Sequence, residues 1–307
     1  MAIRSGLAAQ LGAKAETVWG TPVTVDTFIP MVSESMGVTS ARVESASVIA
    51  GRLVQDSAQW ARGHREVGGD IALELPTNAA IARLLLEHMF GTVTGAGPWT
   101  FTPGDLYGKG MSMQIGVPGM DGTVRPKNYS GCKISTWEIA YTAGEIVTLG
   151  LGIIAKEEDT AGSVAAASYT AGAATPFVAT NVNATIGGAA VCVKQATLSG
   201  DNKLERRMCA GSTVTKEPVA NDLRDYGGSL QLEFDDYTQY TRFVNGTTAA
   251  VAVTFGTGGT TALTLTYNCR FDGETPKVGG RSMIDQPLPI KAIGSTDAAA
   301  VTAVFTA

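Results

Sequence analysis

Val67-Gly-Gly-Asp-Ile-Ala-Leu-Glu-Leu-Pro-Thr-Asn-Ala-Ala-Ile-Ala-Arg-Leu-Leu-Leu-Glu-His-Met-Phe-Gly91 reads as a strand that runs directly into a short helix. Ile71, Leu73 and Leu75 alternate with Asp70, Ala72 and Glu74, the period of a strand with one buried face. Pro76 ends that strand. Thr77 or Asn78 supplies a side-chain oxygen that accepts an N–H group of the first helical turn. Ile81, Leu84, Leu85 and Met89 fall three and four apart and form one apolar stripe. Gly91 stops the helix, because glycine enters the left-handed conformation at low cost. The unit is a strand followed by a helix whose stripe covers a sheet.

The unit recurs. Residues 227–244 align without a gap on residues 68–85, with Gly-Gly on Gly-Gly, Leu232-Glu233 on Leu73-Glu74 and Arg242 on Arg83. Apolar residues match at Ile71 and Leu230, Leu75 and Phe234, Leu84 and Phe243, Leu85 and Val244. Strand period, breaker and helix stripe all coincide, which points to an internal duplication that governs the fold.

Length and composition bound the rest. A chain of 307 residues is long enough for two domains. Charged residues make up 17% and the formal net charge is −5, against a protein that grips phosphates through a basic face. The longest apolar run, residues 146–155, is too short to span a bilayer as a helix and contains two glycines. Arg4 is not followed by the apolar core of an export leader. Cys132, Cys192, Cys209 and Cys269 lie far apart, and we expect buried free thiols in a reducing cytoplasm.

In chain order, residues 1–22 read as an extended or partly helical arm outside the core, ending in the turn Glu16-Thr-Val-Trp-Gly-Thr-Pro22. Residues 36–64 form a long connection spotted with Val38, Val43, Val48, Ile49, Leu53 and Trp60 among exposed-looking charges, either awaiting a partner or forming a hairpin tip. Residues 98–103, 112–117 and 134–155 read as strands of one antiparallel system. The featureless stretch 161–180 suits a linker. The second half repeats the plan, with a strand at 189–196, a turn at 199–202, a counterpart of the long connection at 204–220 and a hairpin turning at Gly256 to Gly259. Residues 279–290, with Pro287 and Pro289, suit an edge strand, and residues 301–305 take the place of 146–154.

Catalytic and metal-binding patterns do not emerge. His64 and His88 are the two histidines, without the cysteine or carboxylate spacing of a zinc site. His88 belongs with the helix core and His64 with solvent. No nucleophile elbow, phosphate loop or calcium loop occurs. Asp235 and Asp236 are explained by capping of the second helix, which Asp236 performs. We expect no enzyme and no cofactor.

The turn 16–22, the strand leading to Met31-Val-Ser-Glu-Ser35, the long connection, and Gly69-Asp-Ile71 opening a strand and helix together resemble the tail tube proteins of long-tailed bacteriophages, in particular the larger, non-contractile siphophage kind with two tube domains. The resemblance implies a mainly β fold of two tandem antiparallel β-sandwich or barrel domains, each with one short flanking helix. The units would be an arm (1–22), a first tube domain (23–160), a linker (161–180) and a second tube domain (181–307). It implies a virion protein, assembled in the host bacterial cytoplasm, whose stacked rings form a hollow tube for DNA. Three duplicated chains per ring would give a pseudo-hexamer, and six chains is the alternative. Tail terminator, tape measure and tail-tip proteins would be partners, and DNA would pass without specific binding. Other virion parts (a hub, a terminator, a capsid-decorating protein) and a secreted β-sandwich adhesin are the competing classes.

Two sets of site residues follow. Val38, Val43, Val48, Ile49, Leu53 and Trp60 are expected to anchor the long connection on an adjacent subunit or ring, since apolar loop residues gain most by burial in a partner. Glu74, Glu138, Glu145, Glu233 and Asp272 are candidate acids of the channel, where a wall that repels phosphate keeps the duplex from sticking.

Overall fold

The computed structural model describes residues 4–169, 176–273, 275–278, 281 and 283–307. In the first half the principal elements are β1 (Gln10–Ala15), β2 (Gly37–Glu44), β3 (Trp60–Glu74), α1 (Ala79–Phe90), β4 (Gly91–Thr94), β5 (Trp99–Pro103), β6 (Met111–Pro118), β7 (Val124–Thr142) and β8 (Thr148–Ala155). In the second they are β9 (Val182–Ile186), β10 (Val193–Asp201), β11 (Leu204–Arg207), β12 (Lys216–Ala220), β13 (Asp225–Glu233), α2 (Thr238–Asn245), β14 (Ala249–Gly256), β15 (Ala262–Phe271), β16 (Asp285–Ala292) and β17 (Val301–Thr306). The chain is mainly β, every strand pairing between these elements is antiparallel, and no barrel closes among the described residues.

The stretch that decides the fold behaves as its pattern dictates. Asn78 caps α1, its side-chain oxygen accepting from the N–H groups of Ala80 (3.0 Å) and Ile81 (3.3 Å). Gly91 ends it at φ +103°, donating to the Glu87 carbonyl. Ile81, Leu85 and Met89 are buried, each contributing on the order of 1.5–3 kcal/mol by leaving water. α2 begins at the aligned position, where the Thr238 N–H donates to the Asp236 carboxylate at 2.7 Å. It is shorter than α1 and buries no residue completely, although Phe243 packs on the core.

One sheet runs through both halves in the order β2, β3, β8, β7, β10, β13, β16. Ile71, Leu73, Leu151, Trp137, Ile139, Leu198, Leu230 and Leu288 point from it into a continuous apolar core. A second layer covers that core. In the first half it consists of β1, β6 and the start of β7; in the second, of β9, β14, β15 and β17, extended by β5 and β4. β7 and β15 play the same part, each leaving the outer layer to meet the inner one. Their pairings correspond: Met111 faces Cys132 and Ala249 faces Cys269, while Ile134 faces Ile153 and Phe271 faces Ile290. The repeat seen in sequence is thus also a repeat of strand order and register.

Several expectations are corrected. The N-terminal segment is not an arm outside the core: β1 pairs along β6, and Leu11 and Ala13 are buried. The strand expected at 189–196 is interrupted at Cys192, and β10 runs through the expected turn to Asp201. β16, rather than β17, occupies the place of β8, since Asp285 faces Glu233 as Thr148 faces Glu74. β5 pairs with β4 of its own half but joins the second half's outer layer through β17 rather than the first half's strands β6 to β8. Cys132 and Cys269 are buried free thiols, but Cys192 is exposed and Cys209 half-buried.

Candidate assembly interface and channel face

The side of the inner sheet turned away from the core is open to solvent. Strand alternation puts Asp70, Ala72 and Glu74 of β3 there, with Gly150 and Gly152 of β8, Glu138 of β7, Ser199 and Asp201 of β10, and Gln231 and Glu233 of β13. Small residues at the centre leave a shallow concavity of about 670 Å³, bordered by Glu138, Ser199, Asp201 and Asp70. Of the expected channel acids, Glu74, Glu138 and Glu233 share this face. Glu145 instead lies on the exposed turn between β7 and β8, its N–H bonded to the Thr142 carbonyl. Asp272 follows the end of β15, ion-paired to Arg270 at 2.9 Å.

The same face carries acids that single-residue reading passed over: Asp70, Asp201, Asp225 and Asp285. Period two from Glu74 reveals Asp70, but the others appear only when strands of different halves are placed side by side. Three lysines temper them. Lys194 reaches Asp285 at 2.6 Å and Glu233 at 3.3 Å, Lys203 reaches Asp201 at 2.6 Å, and Lys291 reaches Asp225 at 3.3 Å. The hydrogen bond from Lys194 holds the Asp285 carboxyl below the usual carboxylate range. These pairs are solvent-exposed and add little stability. The face therefore keeps an acidic balance.

The long connection is a β-hairpin, β2 against the start of β3, with a tip at residues 45–59. Val38, Val43, Val48, Ile49, Leu53 and Trp60 are all exposed in the single chain, Leu53 and Val48 almost completely. Val54 is exposed beside them. Arg42 stands over the Trp60 ring at 5.6 Å. Uncovered apolar side chains are thus concentrated on this one projection.

The counterpart hairpin, β11 and β12, is not free. The Arg206 guanidinium donates to the Val67 carbonyl at 2.7 Å, and the Arg65 N–H donates to the Thr213 carbonyl at 2.8 Å. Glu217 accepts from Lys133 at 2.6 Å and from the Gly108 N–H at 2.6 Å. Lys133 is buried, and that burial pushes its ammonium pKa down. The second-half hairpin thus clamps onto the first half.

The turn at 16–22 is a buckle. The buried Glu16 carboxylate accepts from the Gly20 N–H (2.6 Å), the Gly131 N–H (2.8 Å) and the Ser112 hydroxyl (2.9 Å). The Trp19 indole N–H donates to the Gly131 carbonyl at 3.0 Å, and Lys156 lies over its ring. A family model described as phage tail tube protein matches residues 6–292. The chain belongs to the phage tail tube protein family. Among curated proteins no match is found. A tail tube protein is a structural component of the virion tail that assembles with copies of itself. His88 is buried in α1 and His64 is exposed on β3, in the long hairpin. Among the described residues no cluster of His, Cys, Asp or Glu is placed to hold a metal ion.

Proposed function

We propose that three copies of this tail tube protein form a ring of six similar units, one of residues 23–160 and one of residues 181–307 from each chain. Rings stack into the hollow tube of a non-contractile tail, with the acidic sheet face turned to the lumen, and DNA passes along that face without being held. The observation that carries this reading is the repeated strand order of the two halves, joined edge to edge in one sheet. Sheets left open at both ends are completed by neighbours, which removes unpaired backbone donors and acceptors. Contacts between stacked rings do not close on themselves, so they propagate a filament. Terminator, tape measure and tail-tip proteins would bound the stack.

The exposed apolar hairpin supplies the remaining contact, onto an adjacent subunit or ring. Native mass spectrometry of rings and averaged top views by cryo-electron microscopy test the reading: three chains per ring are expected, and six whole chains would overturn it. Negative-stain images separate it from a hub, terminator or decorating protein, because only a tube protein yields long hollow rods.

A further inference from the structure

α1 and α2 belong to copies of one unit, but the space beside them is filled differently. Leu149 faces Leu73 in the first half, and Gln286 faces Leu232 at the same register in the second. The residue after the strand end also changes, from Pro76 to Asp235 in the ungapped alignment. Beside α1, Pro76, Leu85 and Leu149 close on a gap of about 10 Å³, no more than one water molecule would fill. Beside the start of α2 lies a cavity of about 210 Å³, lined by Val191, Cys192, Leu232, Asp235, Asp236 and Gln286 among others. An apolar pair, Pro76 and Leu149, has become a polar pair, Asp235 and Gln286.

Contacts inside the chain do not account for that exchange. Gln286 is only 4% exposed and lines the cavity, yet among the described residues its side-chain amide has no hydrogen-bond partner. An amide taken from water without a partner is unfavourable, and a leucine in this place would avoid that penalty. Asp235 is exposed, and its carboxylate has no ion pair or hydrogen bond among the described residues. Asp236 is turned to the start of α2, where it accepts from the Thr238 N–H at 2.7 Å.

The charge around the cavity has one sign. Glu233 also lines it, and Lys194, which reaches Glu233 at 3.3 Å, lies closer to Asp285 at 2.6 Å. Arg242 turns away to the Gln239 side-chain oxygen at 2.9 Å. Among the described residues no lysine or arginine lines the cavity.

From this exchange we propose that the cavity binds an alkylammonium group, brought by a small aliphatic diamine or by a lysine side chain of another copy. The ammonium donates to the Asp235 carboxylate and to the Gln286 side-chain oxygen, and its methylene chain lies against Val191 and Leu232. An ammonium carries donors alone, which is what two unpartnered acceptors require. An anion would instead meet three carboxylates, those of Glu233, Asp235 and Asp236. A hard metal ion needs a shell of oxygen ligands, and among the described residues no acidic cluster is placed to supply one. Glu233 joins the cavity to the acidic sheet face, whose field concentrates cations beside it. Every residue of the site belongs to one chain, so the site stands apart from the ring reading.

The unassembled full chain is titrated with 1,4-diaminobutane in low salt by calorimetry, with 1-butanol as the uncharged control. Saturable binding of the diamine and none of the alcohol is expected. Gln286→Leu, which copies the first half, and Asp235→Asn, at an exposed position, should each weaken binding at least about tenfold. In a chain carrying Cys209→Ser, the diamine should slow maleimide alkylation of Cys192 in proportion to occupancy. A parent chain that binds no diamine overturns the proposal, as does binding that both variants retain. Tubes separate the two sources. Diamine still bound, with Cys192 open to maleimide in its absence, assigns a free amine. Diamine excluded and Cys192 shielded assigns a lysine of a neighbouring copy.

Discussion

Gly69 and Gly228 hold the same backbone conformation, φ +154° in both, at aligned positions of β3 and β13. A Cβ at Gly69 would overlap the Ser35 carbonyl oxygen, and one at Gly228 would overlap that of Thr197. Ser35 lies just before β2, beside β3, and Thr197 lies in β10, beside β13. The paired glycines of the sequence repeat therefore mark one strained crossing, built twice, where the neighbouring backbone comes too close for any side chain.

Gly69→Ala and Gly228→Ala should each lower stability by about 1–3 kcal/mol, the cost of forcing an alanine into a conformation it rarely adopts. Urea unfolding of the unassembled chain measures this. Midpoints equal to the parent's would show that the crossing does not need glycine.

Trp137 covers Gly200 at the junction of the halves, where an added methyl group would meet the indole ring. Gly200→Ala should cost about 1–3 kcal/mol through overpacking. Trp137→Phe in the same chain should recover part of that loss, giving a favourable coupling in a double-mutant cycle. Strictly additive effects would mean that the two residues do not press on one another.

His88 introduces a pH dependence. Its Nδ1 lies 2.8 Å from the Leu84 carbonyl oxygen and its Nε2 lies 3.2 Å from that of Gly110. Burial pushes its pKa below the ordinary 6.5 despite these acceptors. The unfolded chain then takes up a proton that the folded one refuses. Stability from this group is complete above about pH 6.5 and declines as pH falls toward the lower folded value. His88→Gln should flatten the stability profile between pH 7 and about pH 5. An unchanged slope would assign the acid sensitivity elsewhere.

The hairpin tip should be dispensable for folding and required for assembly. Replacing residues 45–59 with a two-residue Asn-Gly turn keeps the β2–β3 pairing and removes Val48, Ile49, Leu53 and Val54. The chain should unfold at an unchanged urea midpoint yet form no long rods in negative stain. Normal rods would make the tip a passive projection.

The sheet face tests the channel. Glu74 and Glu138 are exposed and Glu233 half-exposed, so changing all three to lysine should leave folding within about 0.5 kcal/mol per site. Tubes of this variant should retain short DNA duplexes in low salt and release them as salt rises, as counterion release requires. Retention no greater than that of unaltered tubes would remove this face from the lumen.

The sequence by itself determined the repeating strand–helix unit, because its information is local. Alternation at Ile71, Leu73 and Leu75, the cap at Asn78 and the stop at Gly91 are satisfied by neighbours a few residues away. It also determined that the long connection is rich in apolar residues. Tertiary structure alone decided which edges meet. That β7 joins β10, that β5 leaves its own half for β17, and that β1 enters the core beside β6 depend on pairings between residues far apart in the chain, which no local period encodes. The candidate channel acids divide the same way. Glu74, Glu138 and Glu233 are legible as outward residues of three separate strands, but they become one acidic surface because the sheet passes unbroken from one half to the other. Glu145 and Asp272 fall outside that surface because a turn and a strand end release them from the alternation that holds the others in place.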